Sequence, residues 1–182
     1  MALDLQPTLL GPVVQLRPLR GSDFASLFAV ASDPLIWEQH PARNRYQEPV
    51  FREFFEQGIA SGGALLVADA TTNAVLGSSR YAGYLPESSE VEIGWTFLAR
   101  SCWGGTVNAA LKSLMLEHAF GSVESVVFTV GELNLRSQRA VLKLGAVLEG
   151  PMSAGGVPHL RFRLSRATYS ARKRRMQVSG DA

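Results

Sequence analysis

Residues 125–130 read Ser-Val-Val-Phe-Thr-Val, apolar on both faces of an extended chain. A strand of that kind is covered on two sides, and a parallel partner is reached only through a crossover. The flanking pattern supplies one. Glu90–Leu98 alternates, with Val91, Ile93, Trp95 and Phe97 on one side and Glu90, Glu92, Gly94 and Thr96 on the other. Trp103-Gly104-Gly105 then leads into a helix over Thr106–Phe120, with an expected apolar stripe of Val107, Ala110, Leu111, Leu114 and His118. Beyond the buried strand, Leu135–Leu144 reads as a second helix closed by Gly145, followed by Ala146–Glu149 and the alternating strand Val157–Leu164.

Upstream of this crossover the pattern is a meander. Val13–Pro18 is a short strand, and Ser22-Asp23 offers a helix N-cap before Phe24, Leu27, Phe28 and Ala31. A polar loop over 33–49 carries Trp37, His40 and Tyr46. Phe51, Phe54, Phe55 and Ile59 share one face of a helix over 50–60, and Ala64–Ala68 and Ala74–Tyr81 are strands joined by short turns to each other and to Glu90–Leu98. The sum is an α+β fold: a mixed, mostly antiparallel sheet with helices on both faces, in one domain of 182 residues.

Charge adds one asymmetry. Residues 1–149 hold 11 Lys and Arg against 15 Asp and Glu, whereas residues 150–182 hold 7 basic residues against Asp181 alone. The expectation is a domain over 12–165 and a basic C-terminal tail over 166–182, either simply solvated or touching nucleic acid, the ribosome or another acidic partner. The single cysteine, Cys102, excludes an intrachain disulfide, and the first residues lack the basic-then-apolar pattern of a leader. No apolar run is long enough to cross a bilayer. These features point to a cytoplasmic protein without membrane contact.

Three places carry residue types suited to chemistry. Trp103-Gly104-Gly105-Thr106-Val107-Asn108 lies between a strand and a helix, where free N–H groups and the positive helix end suit a pyrophosphate; such a pair of glycines also serves as a plain turn. Asn134-x-x-Ser137 follows the buried strand; it reads as a helix cap, or as a polar grip on an amide-bearing ligand with Ser137 near the reactive end. Glu90 and Glu92 leave the sheet on one side, and Gly94 opens space beside Glu92. A half-buried carboxylate there suits proton abstraction from an ammonium, against the plainer reading of solvent exposure.

The run from Glu92-Ile93-Gly94-Trp95 through Trp103-Gly104-Gly105, Asn134-x-x-Ser137 and Gly145-Ala146-x-x-Glu149-Gly150 resembles the GNAT acetyltransferases. It is most similar to the branch containing the ribosomal-protein N-terminal alanine acetyltransferases (RimJ/RimL-like). The resemblance spans about residues 12–165. It implies an N-acetyltransferase moving an acetyl group from acetyl-coenzyme A to a primary amine, on a small molecule or a protein N-terminus, with no metal. A non-catalytic acyl-coenzyme A-binding module is the alternative. It implies that the strands at 90–98 and 125–130 run parallel and diverge around the pantetheine arm. Backbone groups of Phe97, Leu98 and Ala99 pair with the arm, and the loop over Trp103, Gly104, Gly105, Thr106, Val107 and Asn108 holds the pyrophosphate. By the same resemblance, Asn134 is expected to bond the pantetheine, Ser137 to lie by the sulfur, and Glu92 to be the general base. Trp37, His40 and Tyr46 fall where the family builds its acceptor pocket, and homodimers are frequent in it.

The chain departs from the family pattern at Thr106 and Asn108, where small residues are usual, and at Val141, where many members carry a Tyr that protonates the leaving thiolate. His118 reads as a core histidine, Cys102 has no base partner, and His159 and Arg161 fall on the outward parity of the last strand.

Overall fold

The computed structural model describes residues 2–180. Eight strands form one sheet in the order β1-β2-β3-β4-β5-β6-β8-β7. They are β1 (Leu9–Leu10), β2 (Val14–Pro18), β3 (Ala64–Asp69), β4 (Val75–Leu85), β5 (Glu90–Leu98), β6 (Ser125–Gly131), β7 (Val147–Ala154) and β8 (Val157–Ser165). The helices are α1 (Phe24–Ala31), α2 (Glu48–Ala60), α3 (Val107–Phe120), α4 (Leu135–Lys143) and α5 (Arg166–Gly180). The mixed α+β architecture is as the sequence implies. Every neighbouring pair is antiparallel except β5 and β6, which are parallel.

Two hydrophobic clusters sit on opposite faces of the sheet. One packs α3 against Leu65, Val67, Tyr81, Val91, Ile93, Val126 and Phe128. The other packs α1, α2 and the segment around Trp37 against Ala64, Leu66 and Phe97. The second is mostly aromatic. Trp37 is 2% exposed, its indole N–H donates to Ala31 O at 2.8 Å, and its ring lies 5.0 Å from Phe97 and 6.2 Å from Phe54.

The even alternation expected along β5 fails at one point. Val91 and Ile93 belong to the α3 cluster, but Phe97 belongs to the opposite one and Leu98 to the first. The register with β4 shifts between Ser78↔Phe97 and Arg80↔Gly94, so that two residues of β5 face one of β4. Trp95 sits in this bulge at φ 51°, on the order of 1 kcal/mol of strain for a bulky side chain. The extra residue reverses the parity and bends β5 at its middle.

Helix α3 is also rotated from its expected stripe. Its buried residues are Leu111, Lys112, Met115, Leu116, Ala119 and Phe120. Val107, Ala110 and Leu114 are only partly buried against the cluster. His118 is half-buried with Nε2 2.8 Å from Asp4 O. The rotation lets Lys112, which the stripe reading leaves on the solvent side, enter the protein. Of the tail expected over 166–182, residues 166–180 are helical and 181–182 lie outside the described residues; the Tyr169 ring lies tilted 5.3 Å from that of Phe120, and Lys173 Nζ is 2.7 Å from Glu117.

Candidate active site

Strands β5 and β6 are paired only at Glu90↔Ser125, Val91↔Val126 and Glu92↔Val127, although β5 continues to Leu98 and β6 to Gly131. Beyond Glu92 the two diverge, and a cavity of about 1210 Å³ opens between them. Its walls include Gly94–Leu98 of β5 and Phe128–Gly131 of β6, so the parallel wedge implied by the sequence exists and is open.

The cavity has two ends. At one, Trp103, Gly104, Gly105 and Asn108 line it together with Arg139 and Lys143 of α4 and Arg172 and Lys173 of α5. Gly104 adopts φ 71°, a conformation that glycine reaches without a Cβ penalty. Trp103 donates its indole N–H to Leu98 O at 3.2 Å and carries Arg136 on its face, with Cζ 3.7 Å from the ring centroid. Arg136 in turn donates its backbone N–H to Gln39 Oε1 and a guanidinium N–H to Ile36 O, tying α4 to the loop after α1. Thr106 and Val107 do not line the cavity.

The middle of the wedge presents backbone. Ala99 donates its N–H to Leu76 O and accepts from Cys102 N–H, so both its groups are spent, and it lies off the cavity wall. This corrects the expectation that Ala99 pairs with a ligand. Strand alternation aims the Leu98 N–H the opposite way from that of Ala99, toward the cavity, and Phe97 and Leu98 both line it. Asn134 is 7% exposed and its Oδ1 accepts from Ser137 N–H at 3.2 Å. The plain cap reading is therefore realised, and both residues still face the cavity.

Lys112 is the residue that sequence reading missed. It is 6% exposed, with Nζ 2.7 Å from Thr96 Oγ1 and 5.8 Å from the Phe128 centroid, between the diverging strands. Burial pushes its ammonium down to about 7. Flanked by Leu111 and Ser113, it carries no sequence signal that separates it from a surface lysine.

At the other end, Glu92 stands where the strands part, just off the cavity wall and against Gly94, which lines it. Burial raises its carboxyl above the ordinary range, opposed by the hydroxyl and backbone N–H of Thr129 and then by the charges of Arg161 and His159. Thr129 Oγ1 is also 3.8 Å from Met152 Sδ, a weak acceptor. A Cβ on Gly94 would lie 3.3 Å from Glu92 Oε1, which is why a glycine opens this spot. Glu90, two residues earlier, is tied down: Arg161 Nη2 is 2.6 Å away and Arg163 also pairs with it, while both arginines bond Glu149. Arg161 is thus part of an ion-pair network. Only Glu92 of the pair is left for chemistry.

The loop 33–47 roofs this end. Pro41 packs against Gly131 so closely that a Cβ there would be 2.8 Å from Pro41 Cγ. Trp37, His40 and Arg45 line the cavity, whereas Tyr46 lies outside it and is 37% exposed. Tyr46 is therefore not brought to the site with Trp37 and His40. Val141, at the position of the family's tyrosine, is 5% exposed and lines the cavity without a proton to give.

A sequence profile described as "Acetyltransferase (GNAT) domain" matches residues 14–147. No curated protein matches the chain. Among solved structures, a GCN5-related N-acetyltransferase from Brucella melitensis superposes with TM-score 0.82 at 19% identity, covering 95% of this chain and 85% of that one. RimJ of Mycobacterium smegmatis, solved with CoA-disulfide, gives TM-score 0.66 at 20% identity over 88% of this chain and 87% of that one. Spermidine N-acetyltransferase of Vibrio cholerae, solved with CoA and spermine, gives 0.68 at 14% identity over 88% and 99%. At these identities the likenesses concern the fold.

Proposed function

The chain belongs to the GNAT acetyltransferase family, and from that premise we propose that it moves an acetyl group from acetyl-coenzyme A to a primary amine with Glu92 as general base. The observation that carries this reading is the parting of β5 and β6 directly after Glu92, which sets a half-buried carboxylate beside Gly94 and Thr129, two residues of the wall of a cavity of about 1210 Å³.

The residues fit the cofactor's chemistry. The arm is a chain of amides, and the edge of β5 that turns away from β4 at Leu98 offers a backbone N–H to it. Its phosphates need cations and N–H groups, which the Trp103–Gly105 turn, Asn108, Arg139, Lys143, Arg172 and Lys173 provide at one end. When bound, it supplies an acetyl group activated as a thioester. The chain's residues do the rest. Glu92 removes a proton from the acceptor's ammonium, directly or through a water, so that nitrogen carries a free electron pair. The Leu98 N–H would stabilise the carbonyl oxygen while a C–N bond replaces the thioester's C–S bond, and the nitrogen's second proton would balance the one that the departing thiolate takes up. Ser137, or Lys112 in its protonated form, is within the cavity to donate to it.

The test is thiol release against an amine panel, with cofactor affinity measured separately by calorimetry. Micromolar binding and release dependent on the amine are expected. The rate falls as pH drops through a pKa above the ordinary carboxylate range, because Glu92 acts only when ionised. Binding of acetyl-coenzyme A without thiol release for any amine would favour the non-catalytic acyl-coenzyme A module.

A further inference from the structure

Two guanidinium groups stand at the acceptor end with nothing acidic beside them. Arg45 is half-buried, its Cζ 4.3 Å from the Phe54 centroid and 5.6 Å from that of Trp37. Arg80 is 7% exposed, its Cζ 4.8 Å from the Trp95 centroid and 5.7 Å from that of Phe54. Its Nε is buried with no hydrogen-bond partner. Among the described residues, no carboxylate forms an ion pair with either arginine.

Aromatic packing does not complete this arrangement. A ring under a guanidinium returns roughly 0.5–2 kcal/mol, whereas an unpaired buried charge costs several kcal/mol and leaves N–H groups without acceptors. The two charges also oppose each other: burial first, and then the charge of Arg80, push Arg45 down to about 10. His40 offers no relief. Ala42 N–H points at its Nδ1 at 2.9 Å, and Arg45 Nη1 lies 3.1 Å from its Nε2. A neutral imidazole has one acceptor nitrogen and one N–H, so either tautomer sets one donor against another. Burial keeps this ring neutral by pushing it down to about 3.

The cluster is next to the base. In the β4–β5 register Arg80 faces Gly94 and Ala82 faces Glu92, two residues along the same pair of strands. That offset is about 7 Å at the rise of a strand. The cofactor's phosphates have their own cations at the opposite end, so they are not the missing counter-ion.

We propose that the acceptor is a compact amine bearing a carboxylate, which Arg45 contacts and Arg80 supports from behind while the amine faces Glu92. This rests on the acetyltransferase reading. Two sources share the chemistry: a free amino acid, and an acidic residue at a peptide N-terminus. Polyamines and aminoglycosides, which bring only positive charge, are disfavoured by the same two arginines.

The experiment measures binding and turnover separately, on protein loaded with coenzyme A or supplied with acetyl-coenzyme A. Aspartate, glutamate and an Asp-Ala-Ala peptide, all with free amines, are titrated and turned over against the same compounds with every carboxylate converted to carboxamide, and against spermidine. A carboxylate advantage of about 10–100-fold is expected, the range of a charge-assisted hydrogen bond. Arg45→Gln removes that advantage and leaves coenzyme A affinity unchanged, and Arg45→Lys restores part of it. Preference for the free acids or for the peptide identifies the source, and either supports the proposal. Equal binding of acid and amide by the wild-type protein, or tighter binding of spermidine, overturns it without any variant having to fold. Carboxylate binding without thiol release would sink the acetyltransferase reading alone. Thiol release indifferent to the carboxylate would sink this proposal alone.

Discussion

The two ends of the cavity are both cationic, but their cations are held in different ways. At the cofactor end Arg139 and Arg172 are exposed on the outer turns of α4 and α5, and Lys173 is paired with Glu117. At the acceptor end Arg45 and Arg80 are packed among Phe54, Trp37 and Trp95 with no counter-ion. Exposed charge attracts any polyanion and is screened by salt. Buried charge discriminates, because an unsuitable ligand leaves it unpaired. The contrast implies that one end is built for a ligand known by its many phosphates and the other for a smaller one known by a single group.

The strongest way to break this division is at the point between the ends. Glu92→Gln keeps the shape and removes the base, and a turnover loss of about 10²–10⁴-fold is expected, with acetyl-coenzyme A affinity unchanged. Unaltered turnover would remove Glu92 from its role, and a parallel loss of affinity would mean that the two ends are not separable. Next in size is Trp37→Ala, which empties a site 2% exposed beneath the acceptor loop. A loss of about 3–5 kcal/mol of stability is expected from denaturant unfolding. A loss under about 1 kcal/mol would show that the loop repacks and that the acceptor end is soft.

Lys112 sits between the two regions and sharpens the comparison through pH. Its folded pKa of about 7 lies below its ordinary value of 10.5. Between those values the unfolded chain binds the extra proton, so this group makes stability rise with pH, by up to about 1.4 kcal/mol per pH unit. Below about pH 7 both states are protonated and the dependence ends. Lys112→Met should therefore raise Tm at pH 7 and flatten its rise toward pH 9. A wild-type Tm that does not respond to pH across that window contradicts the buried setting.

The difference between the ends is also the difference between what the sequence discloses and what it hides. The crossover and the Gly104-Gly105 turn are local patterns, carried by periodicity and by residues that few other backbones need, whereas the opening of the wedge is implied only by the family resemblance. Glu92 is visible because Gly94 follows it on the same face. Arg45 and Arg80 are 35 residues apart, and only the β4–β5 register and the fold of loop 33–47 bring them to one ring, Phe54. Lys112 is hidden by a rotation of α3, and Trp95 by a bulge that reverses the parity of its strand. Ala99 and Tyr46 fail for the same kind of reason: being in the right stretch of chain fixes neither where an N–H points nor which way a loop turns.

The smallest effect is expected at the cofactor mouth. Arg172→Ala with Lys173→Ala removes two of the five basic side chains that line it, neither of them buried. Exposed ion pairs contribute about 0.2–1 kcal/mol each, so a loss of a few-fold in acetyl-coenzyme A affinity is expected near 0.05 M salt, shrinking as salt rises to about 0.5 M, where the Debye length falls below about 5 Å. Dephospho-coenzyme A, which lacks one phosphate, should lose less on mutation than the intact cofactor if these two side chains face that group. A loss that persists at high salt would mean that α5 holds the cofactor as a buried wall does. The two ends would then differ in ligand but not in the means of gripping it.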